Sequence, residues 1–349
     1  MVIHQTRAST RLAAKARAAT SSVTVTPSPK KKQKVQHNDN NDLVASSSSS
    51  SPPKIERRTL FQHDDDTKVR EKVQNLIQSS IRICSSSSSS GSSIKTETMG
   101  GWCLVDGLTH CMTASDGILQ EMIETHGPPD FLKNYLQTGK TSTRGKHEDG
   151  YQSFRSLCRT VASQQLAGPA ANKIWARFLG VVGASPSDTT NLTPQSILSI
   201  IDNGDVEDDL REPAGLSNAK CNCIIALSEA FNDGELSDSI LSSAPDEEVY
   251  QKLQQVKGIG PWTVDMFLLF ECHRQNILPI GDLAVRNGTS ILWKIKGKGK
   301  GGAVCQKKNK DEIELCHEPF APYRSISTYY MYKLVDKRET KKDVKGSKT

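Results

Sequence analysis

Two short segments of this sequence hold residues whose types and spacing could do chemistry. The first is Leu253–Val264, in which Gly258-Ile259-Gly260-Pro261-Trp262-Thr263 separates two apolar helical patterns. Glycines permit a tight turn, and proline suits the first turn of a helix. The unpaired N–H groups at that helix start would point outward, so the turn predicts a site for one phosphate group. Most bare Gly-x-Gly turns only connect helices, but a position between two apolar helices favours binding.

The second segment is Leu278–Arg286, in which Asp282 follows Trp262 by 20 residues within a Pro-x-x-Asp-x-x-Val pattern. Considered alone, Asp282 is most simply the N-cap of a helix. A carboxylate fixed at this place could also stabilise positive charge that develops on a reacting group. Both interpretations stay open on the residues alone.

Helices are expected to position both segments. From about Asp106 apolar residues recur at helical spacing and few runs alternate as strands do, which predicts an all-α domain. A serine at Ser217 is expected to cap one of these helices. The predicted helices cover Ser115–His126, Tyr151–Phe178 with an interruption near Gly168-Pro169, Pro194–Ile201, Lys220–Phe231 and Glu247–Val256.

The first hundred residues differ in composition from the rest. Large apolar residues are few and serine runs occupy Ser46–Ser51 and Ser85–Ser90, so we expect disorder. A charged stretch from Ile55 to Ile83 could form a short helix, which we leave outside the core. Residues 1–38 carry eight Lys or Arg and no acid, and the basic run Pro29–Val35 is typical of a nuclear address. The same leader also fits an organelle transit peptide.

Composition excludes other classes of protein. No apolar run approaches the roughly 18 residues that cross a bilayer. The nine cysteines are scattered and lack a C-x-x-C pair, which favours reduced intracellular thiols. The spacing of Cys221 and Cys223 is a weak indication of a metal site, and ordinary helical residues are the better interpretation. The formal net charge is +6.

Together the hairpin, its spacing to Asp282 and the Pro-x-x-Asp-x-x-Val segment resemble the helix-hairpin-helix glycosylase superfamily of DNA repair, in its DNA-3-methyladenine glycosylase II branch. Two further segments, Phe154–Ile174 and Pro322–Tyr332, are similar to other helices of that branch. The resemblance covers about Asp106 to Asp336. It implies a two-lobed all-α domain over residues 106–336, with a disordered basic extension over 1–105 and a basic tail over 337–349.

The resemblance also implies an activity. Asp282 would be the catalytic carboxylate at a pocket that receives a base flipped out of duplex DNA. Strand-cleaving members of the superfamily hold a lysine where this chain has Trp262, so the resemblance implies removal of alkylated purines without strand cleavage. A DNA-binding module without turnover and a strand-cleaving glycosylase are the alternatives, disfavoured by Asp282 and Trp262 respectively.

Further residues take roles from the same resemblance. The DNA-binding hairpin would be Gly258, Ile259, Gly260 and Thr263. The expected base pocket comprises Trp262, Tyr332, Met266 and Tyr323. The expected DNA wedge comprises Gln165 and Leu166, and Gln165 stands at the position where some relatives carry leucine.

No metal or cofactor is expected. Only Cys305 and Cys316 follow the catalytic segment, too few for the iron–sulfur cluster of some relatives. The sequence neither supports nor excludes a monovalent cation at the hairpin. The expected partner is double-stranded DNA with damaged bases. We expect the protein to bind it as a monomer and to have no membrane partner. A Lys-rich insertion over 294–310, with seven lysines and no acid, would either attract phosphates or form a disordered surface loop.

Overall fold

The computed structural model describes residues 66–82, 102–132, 149–166 and 168–346. No β-strand occurs among these residues, and none of their helices is long and apolar enough to cross a membrane. The basic leader, both serine runs and the last three residues lie outside the described residues. The principal helices are α1 Asp66–Arg82, α2 Leu104–Thr113, α3 Gln120–His126, α4 Gln152–Ser163, α5 Gly168–Val181, α6 Pro194–Asn203, α7 Asn218–Asn232, α8 Asp238–Ser243, α9 Asp246–Gln255, α10 Pro261–Phe270, α11 Leu283–Trp293, α12 Lys310–His317 and α13 Arg324–Gly346.

The structure confirms the all-α prediction and refines several helix bounds. The helix expected from Ser115 begins at Gln120, because Ser115 and Asp116 have φ of 52° and 55°, outside the right-handed helical region. The break expected near Gly168 lies just before it, and Gly168 is the first residue of α5. Ser217 caps α7 as expected, since its hydroxyl accepts a hydrogen bond from the amide of Lys220.

Two hydrophobic clusters form the interior of the described residues. The first is built mainly from α4 to α10, and the second from α1, α2, α3, α11 and α13. Phe131 and Tyr332 pack against both clusters, which marks the seam between them. Helix α10 contributes Phe267 to the first cluster, whereas α11 contributes Val285 to the second. The two chemistry-bearing segments therefore approach each other from different clusters.

Helix α1 belongs to the hydrophobic core, although its sequence was expected to lie outside it. The stretch left outside the core contains Val73 and Ile77, which are 0% and 2% exposed within the second cluster. Arg70 also pairs with Asp106 of α2. The spacing of Val73 and Ile77 by four residues places them on one helix face, and α2 covers that face. The folded domain thus includes residues well before Asp106, the start that the sequence predicted.

Helices α11 and α13 cross at very short distance. A Cβ placed on Gly288 of α11 would lie 2.6 Å from both the Cβ and the carbonyl oxygen of Met331 in α13. Only glycine permits this approach without a shift of the backbone. The crossing fixes α11, and with it the position of Asp282 at the start of that helix.

Candidate active site

Asp282 is fixed by three N–H donors from two different helices. Its Oδ1 accepts from the amides of Ala284 at 2.8 Å and Val285 at 3.1 Å, which makes it the N-cap of α11. Its Oδ2 accepts from the indole Nε1 of Trp262 at 2.9 Å. The bond to Trp262 crosses from α11 to α10. A carboxylate held at both oxygens keeps one orientation. Oδ1 already accepts two hydrogen bonds, whereas Oδ2 accepts one and still has a lone pair for a further contact.

The hairpin between α9 and α10 has the backbone form that its glycines predict. Gly258 has a φ of 100°, and a Cβ there would lie 2.8 Å from the Cβ of Cys223. Gly260 differs, because a Cβ there would meet no atom within 4 Å. Ile259 is only 5% exposed and anchors the turn in the first cluster. The space beside Gly260 leaves the start of α10 open to a ligand such as a phosphate group.

The turn after α4 is attached to the hairpin. The side-chain amide of Gln164 donates to the hydroxyl of Thr263 at 3.0 Å and to the carbonyl of Gly258 at 3.3 Å. The next two residues, Gln165 and Leu166, are exposed, and Gln165 has a φ of 58°. Leu166 is one of few large apolar residues on the described surface, at 40% exposed. The predicted wedge residues are thus presented to solvent beside the hairpin.

Tyr332 and Met266 lie together at the seam between the clusters. The Tyr332 hydroxyl is 3.8 Å from the sulfur of Met266, and its ring centre is 6.0 Å from that of Phe270. Burial raises the pKa of Tyr332, and the negative charges of Asp282 and Asp265 raise it further. Tyr332 therefore lies within electrostatic reach of Asp282, as a pocket residue should.

Comparison with known proteins gives this geometry a context. Residues 158–313 match the family model of the HhH-GPD superfamily base excision DNA repair protein. The chain is 30% identical over 200 residues to DNA-3-methyladenine glycosylase 1 of Schizosaccharomyces pombe, covering 56% of this chain and 78% of the relative. The chain belongs to the HhH-GPD superfamily.

Other relatives carry similar names. The DNA-3-methyladenine glycosylase of Saccharomyces cerevisiae is 28% identical over 209 residues, covering 52% of this chain and 66% of the relative. A solved structure of the Schizosaccharomyces pombe 3-methyladenine DNA glycosylase with abasic DNA aligns with a TM-score of 0.49 and 26% identity, over 65% of this chain and 95% of that one. The family match and the 30% identical relative confirm membership of the helix-hairpin-helix superfamily, while the II branch stays a prediction.

The ring of Tyr323 contacts residues outside the predicted pocket. Its ring lies 5.7 Å from that of Trp102 and 5.5 Å from that of His110, in the second cluster. It precedes α13, whereas Tyr332 lies nine residues further along the chain. The ring contacts of Tyr323 are thus with Trp102 and His110, and its role in the base pocket stays a prediction.

Asp265 is a residue of the site that the sequence analysis missed. It follows Trp262 by three positions on α10, which places both on one side of the helix. Its side chain is buried at 9% exposed and accepts a hydrogen bond from the Tyr250 hydroxyl of α9. Burial raises the pKa of Asp265 to about 6, the Tyr250 hydrogen bond opposes the rise and the charge of Asp282 adds to it. A charged residue amid the apolar run of α10 was the available signal.

Proposed function

We propose that this protein is a monofunctional DNA glycosylase that excises alkylated purines, of the 3-methyladenine and 7-methylguanine type, from duplex DNA. One observation carries the proposal: the Asp282 carboxylate is held by the Trp262 indole, within a superfamily of base excision DNA repair proteins. Relatives named DNA-3-methyladenine glycosylase support the substrate class.

The proposed reaction is hydrolysis of the bond between the base and the sugar. A nucleotide flipped out of the duplex would enter between the clusters, with Gln165 and Leu166 occupying the gap it leaves. As the base departs with the bonding electron pair, positive charge develops on the sugar. The fixed Asp282 carboxylate stabilises that charge and helps to direct water to the sugar carbon.

An alkylated purine suits this site because it already carries positive charge and leaves as a neutral base. The reaction then needs little acid catalysis of the leaving group. Trp262 is only partly buried, and its ring offers a π-face on which a cationic base can stack. Met266 and Tyr332 complete the proposed pocket behind that ring.

The absence of strand cleavage belongs to the proposal as well. Strand cleavage in this superfamily uses a lysine amine that forms a Schiff base with the sugar. Trp262 stands at that position in this chain, and its indole nitrogen is a donor without nucleophilic character. We therefore expect an intact strand with an abasic site as the product.

A DNA-binding module without turnover is the second candidate. The hairpin alone would serve that function, since the start of α10 can hold a phosphate without reading a base. A carboxylate beside bound phosphates repels them, however, and a neutral Asn would cap α11 about as well, so binding alone does not explain the charge of Asp282. The carboxylate of Asp282 therefore favours a glycosylase over a DNA-binding module.

The setting of the activity follows from the same proposal. The partner is double-stranded DNA with damaged bases, bound by a monomer, because one flipped nucleotide fills one pocket. No metal or cofactor takes part in the proposed step. The basic run Pro29–Val35 favours the nucleus, with mitochondrion or plastid as alternatives.

Base release from methylated duplex DNA tests the proposal. The purified protein is incubated with that DNA, free bases are identified by chromatography, and strand breaks are scored before and after alkali. We expect free 3-methyladenine or 7-methylguanine, with breaks that need alkali. Breaks before alkali would indicate a strand-cleaving enzyme, and binding without released base would favour the binding module.

A further inference from the structure

The Lys-rich insertion over 294–310 is folded, which rules out the disordered loop considered for it. Its centre is Asn309, whose side chain is fully buried. The Asn309 Oδ1 accepts from the amides of Lys298 at 3.1 Å and Cys305 at 3.0 Å. Its Nδ2 donates to the carbonyl of Lys296 at 3.2 Å and to the carboxylate of Glu312 at 2.7 Å. One side chain thus joins three parts of the insertion to α12.

Two glycines let the insertion fold back on itself. A Cβ on Gly297 would lie 2.0 Å from the carbonyl oxygen of Gly302, and one on Gly299 would lie 2.7 Å from that of Ala303. The amide of Gly299 donates to the Ala303 carbonyl at 2.8 Å. The alternating Lys-Gly pattern therefore has a structural use: the glycines pack backbone on backbone while the lysines point elsewhere.

Arg286 attaches the insertion to the catalytic segment. Its Nη1 donates to the carbonyls of Ile280 at 2.9 Å and Gly281 at 2.7 Å, directly before Asp282. Its Nε donates to the carbonyl of Val304 in the insertion at 3.3 Å. A planar guanidinium holds such partners in a fixed arrangement. The insertion and Asp282 are therefore positioned by one side chain.

The insertion also reaches the edge of the proposed pocket. A Cβ on Gly281 would lie 3.5 Å from the Cβ of Trp262 and 3.6 Å from the side-chain nitrogen of Gln306. Gln306 is thus adjacent to the segment that joins Trp262 and Asp282. The next residues are Lys307 and Lys308, both exposed.

The charge of the insertion is only partly compensated. All seven lysines are exposed. Lys298 pairs with Glu312 at 2.7 Å and Lys310 with Glu314 at 3.6 Å. Within the described part of the chain, the other five form no ion pair: Lys294, Lys296, Lys300, Lys307 and Lys308. We call these five residues the lysine surface.

We propose that the lysine surface binds backbone phosphates of the DNA strand that lies beside the proposed pocket. Phosphate is the expected ligand because the five ammonium groups form no ion pair and the folded insertion holds them in place. Gln306 brings the insertion next to the catalytic segment. Lysine recognises phosphate as a point charge, so this binding is independent of sequence. The inference rests on the proposed function for the identity of the DNA, but not for the charge of the surface.

Two pairs of substitutions within the insertion provide the test. Lys307→Gln with Lys308→Gln removes charge from the lysine surface, whereas Lys298→Gln with Lys310→Gln removes the same charge from lysines that already pair with glutamates. Dissociation constants are measured over a range of salt concentrations for a short duplex with a stable abasic-site analogue. Each lost phosphate contact lowers the slope of log Kd against log salt by about 0.9. We expect a loss of up to about 1.8 for the first pair and a smaller loss for the second.

Base release separates this inference from the proposed function. The first pair should raise the protein concentration that gives half-maximal release and leave the maximal single-turnover rate unchanged. If the parent binds DNA with the expected slopes but releases no base, the lysine surface stands and the proposed activity fails. If all three proteins show equal slopes, the lysine surface does not bind DNA, whether or not base is released. Should the first pair unfold on thermal melting, Lys294→Gln with Lys300→Gln replaces it under the same criteria.

Discussion

Asp282 combines a structural and a chemical task without conflict, because its two oxygens have different partners. Oδ1 caps α11 through two amides, and Oδ2 receives the indole of Trp262. Sequence reasoning anticipated the cap from the residue type, and the resemblance implied the catalytic role. The bond to Trp262 could not be predicted, since it depends on how α10 and α11 meet at the seam between the two clusters.

The location of Asp265 in the site could not be predicted from residue types alone. Nothing in the apolar run of α10 says which face of the helix this carboxylate occupies. The structure supplies that information through the bond from Tyr250 and the proximity of Asp282. Two carboxylates near one pocket raise its negative potential, which is the sign that a cationic base or a developing sugar cation requires.

Replacing Asp265 by Asn should reveal the free-energy cost of this buried carboxylate. Burial raises the pKa of Asp265 from 3.8 to about 6. The folded state therefore favours the protonated form, so stability is fully present below the unfolded pKa and is lost as the pH rises through about 6. Asp265→Asn should gain stability over the parent between about pH 4 and about pH 7.5, by up to about 3 kcal/mol.

Urea unfolding of both proteins across that pH range measures the difference. When Tyr250→Phe is added to both proteins, the loss of stability caused by Asp265 should extend to higher pH. The reason is that the Tyr250 hydrogen bond holds the pKa of Asp265 down. A difference between parent and Asp265→Asn that does not vary with pH would contradict the assignment.

At the scale of elements, the hairpin was the most predictable part of the molecule. Glycine and proline act through backbone conformation, which is local, so Gly258-Ile259-Gly260-Pro261 specified its own turn. The Lys-rich insertion was less predictable. Its fold depends on Asn309, and a single buried amide has no periodic pattern by which a sequence reveals it.

The crossing of α11 and α13 depends on the lack of a side chain at Gly288. In Gly288→Ala the new methyl group would lie 2.6 Å from Met331, including its backbone carbonyl. Overpacking of this kind costs about 1–3 kcal/mol, more than the gain of up to about 1 kcal/mol from replacing a helical glycine. We expect a lower melting temperature and, because α11 begins at Asp282, slower base release.

Gly180→Ala is the matched control. Gly180 lies in α5, and a Cβ there would meet nothing within 4 Å. This variant should melt at or above the temperature of the parent. Equal melting of the two alanine variants would show that the α11–α13 contact tolerates a side chain.

At the scale of the whole molecule, the domain extends further toward the N-terminus than the sequence indicated. Serine runs on both sides of α1 obscured it, because low-complexity flanks are typical of segments without a core. The helix nevertheless buries Val73 and Ile77 against α2. The all-α class was predictable because it rests on apolar spacing summed over many residues. The packing partner of α1 was not, since distant contacts leave no local pattern.

Truncating Ile77 tests whether α1 belongs to the core. Ile77→Ala should lower the free energy of unfolding by about 2–5 kcal/mol, as expected for a buried isoleucine. Gln74→Ala, at an exposed position of the same helix, should change it by less than about 0.5 kcal/mol. Chemical denaturation measures both values. Equal stability of the two variants would remove α1 from the folded domain.

We expect the Asp282 carboxylate to perform chemistry and not only to cap a helix. Asn caps helices about as well as Asp does, so Asp282→Asn retains the cap of α11. It removes the charge and also the bond from Trp262, because an amide nitrogen cannot accept from the indole N–H. The most direct test compares single-turnover release of base from methylated duplex DNA by the parent and by this variant, with binding to abasic DNA as the control for folding. We expect unchanged binding and a release rate lower by about 10²-fold or more. Release by Asp282→Asn at the rate of the parent would show that the Asp282 carboxylate takes no part in the reaction.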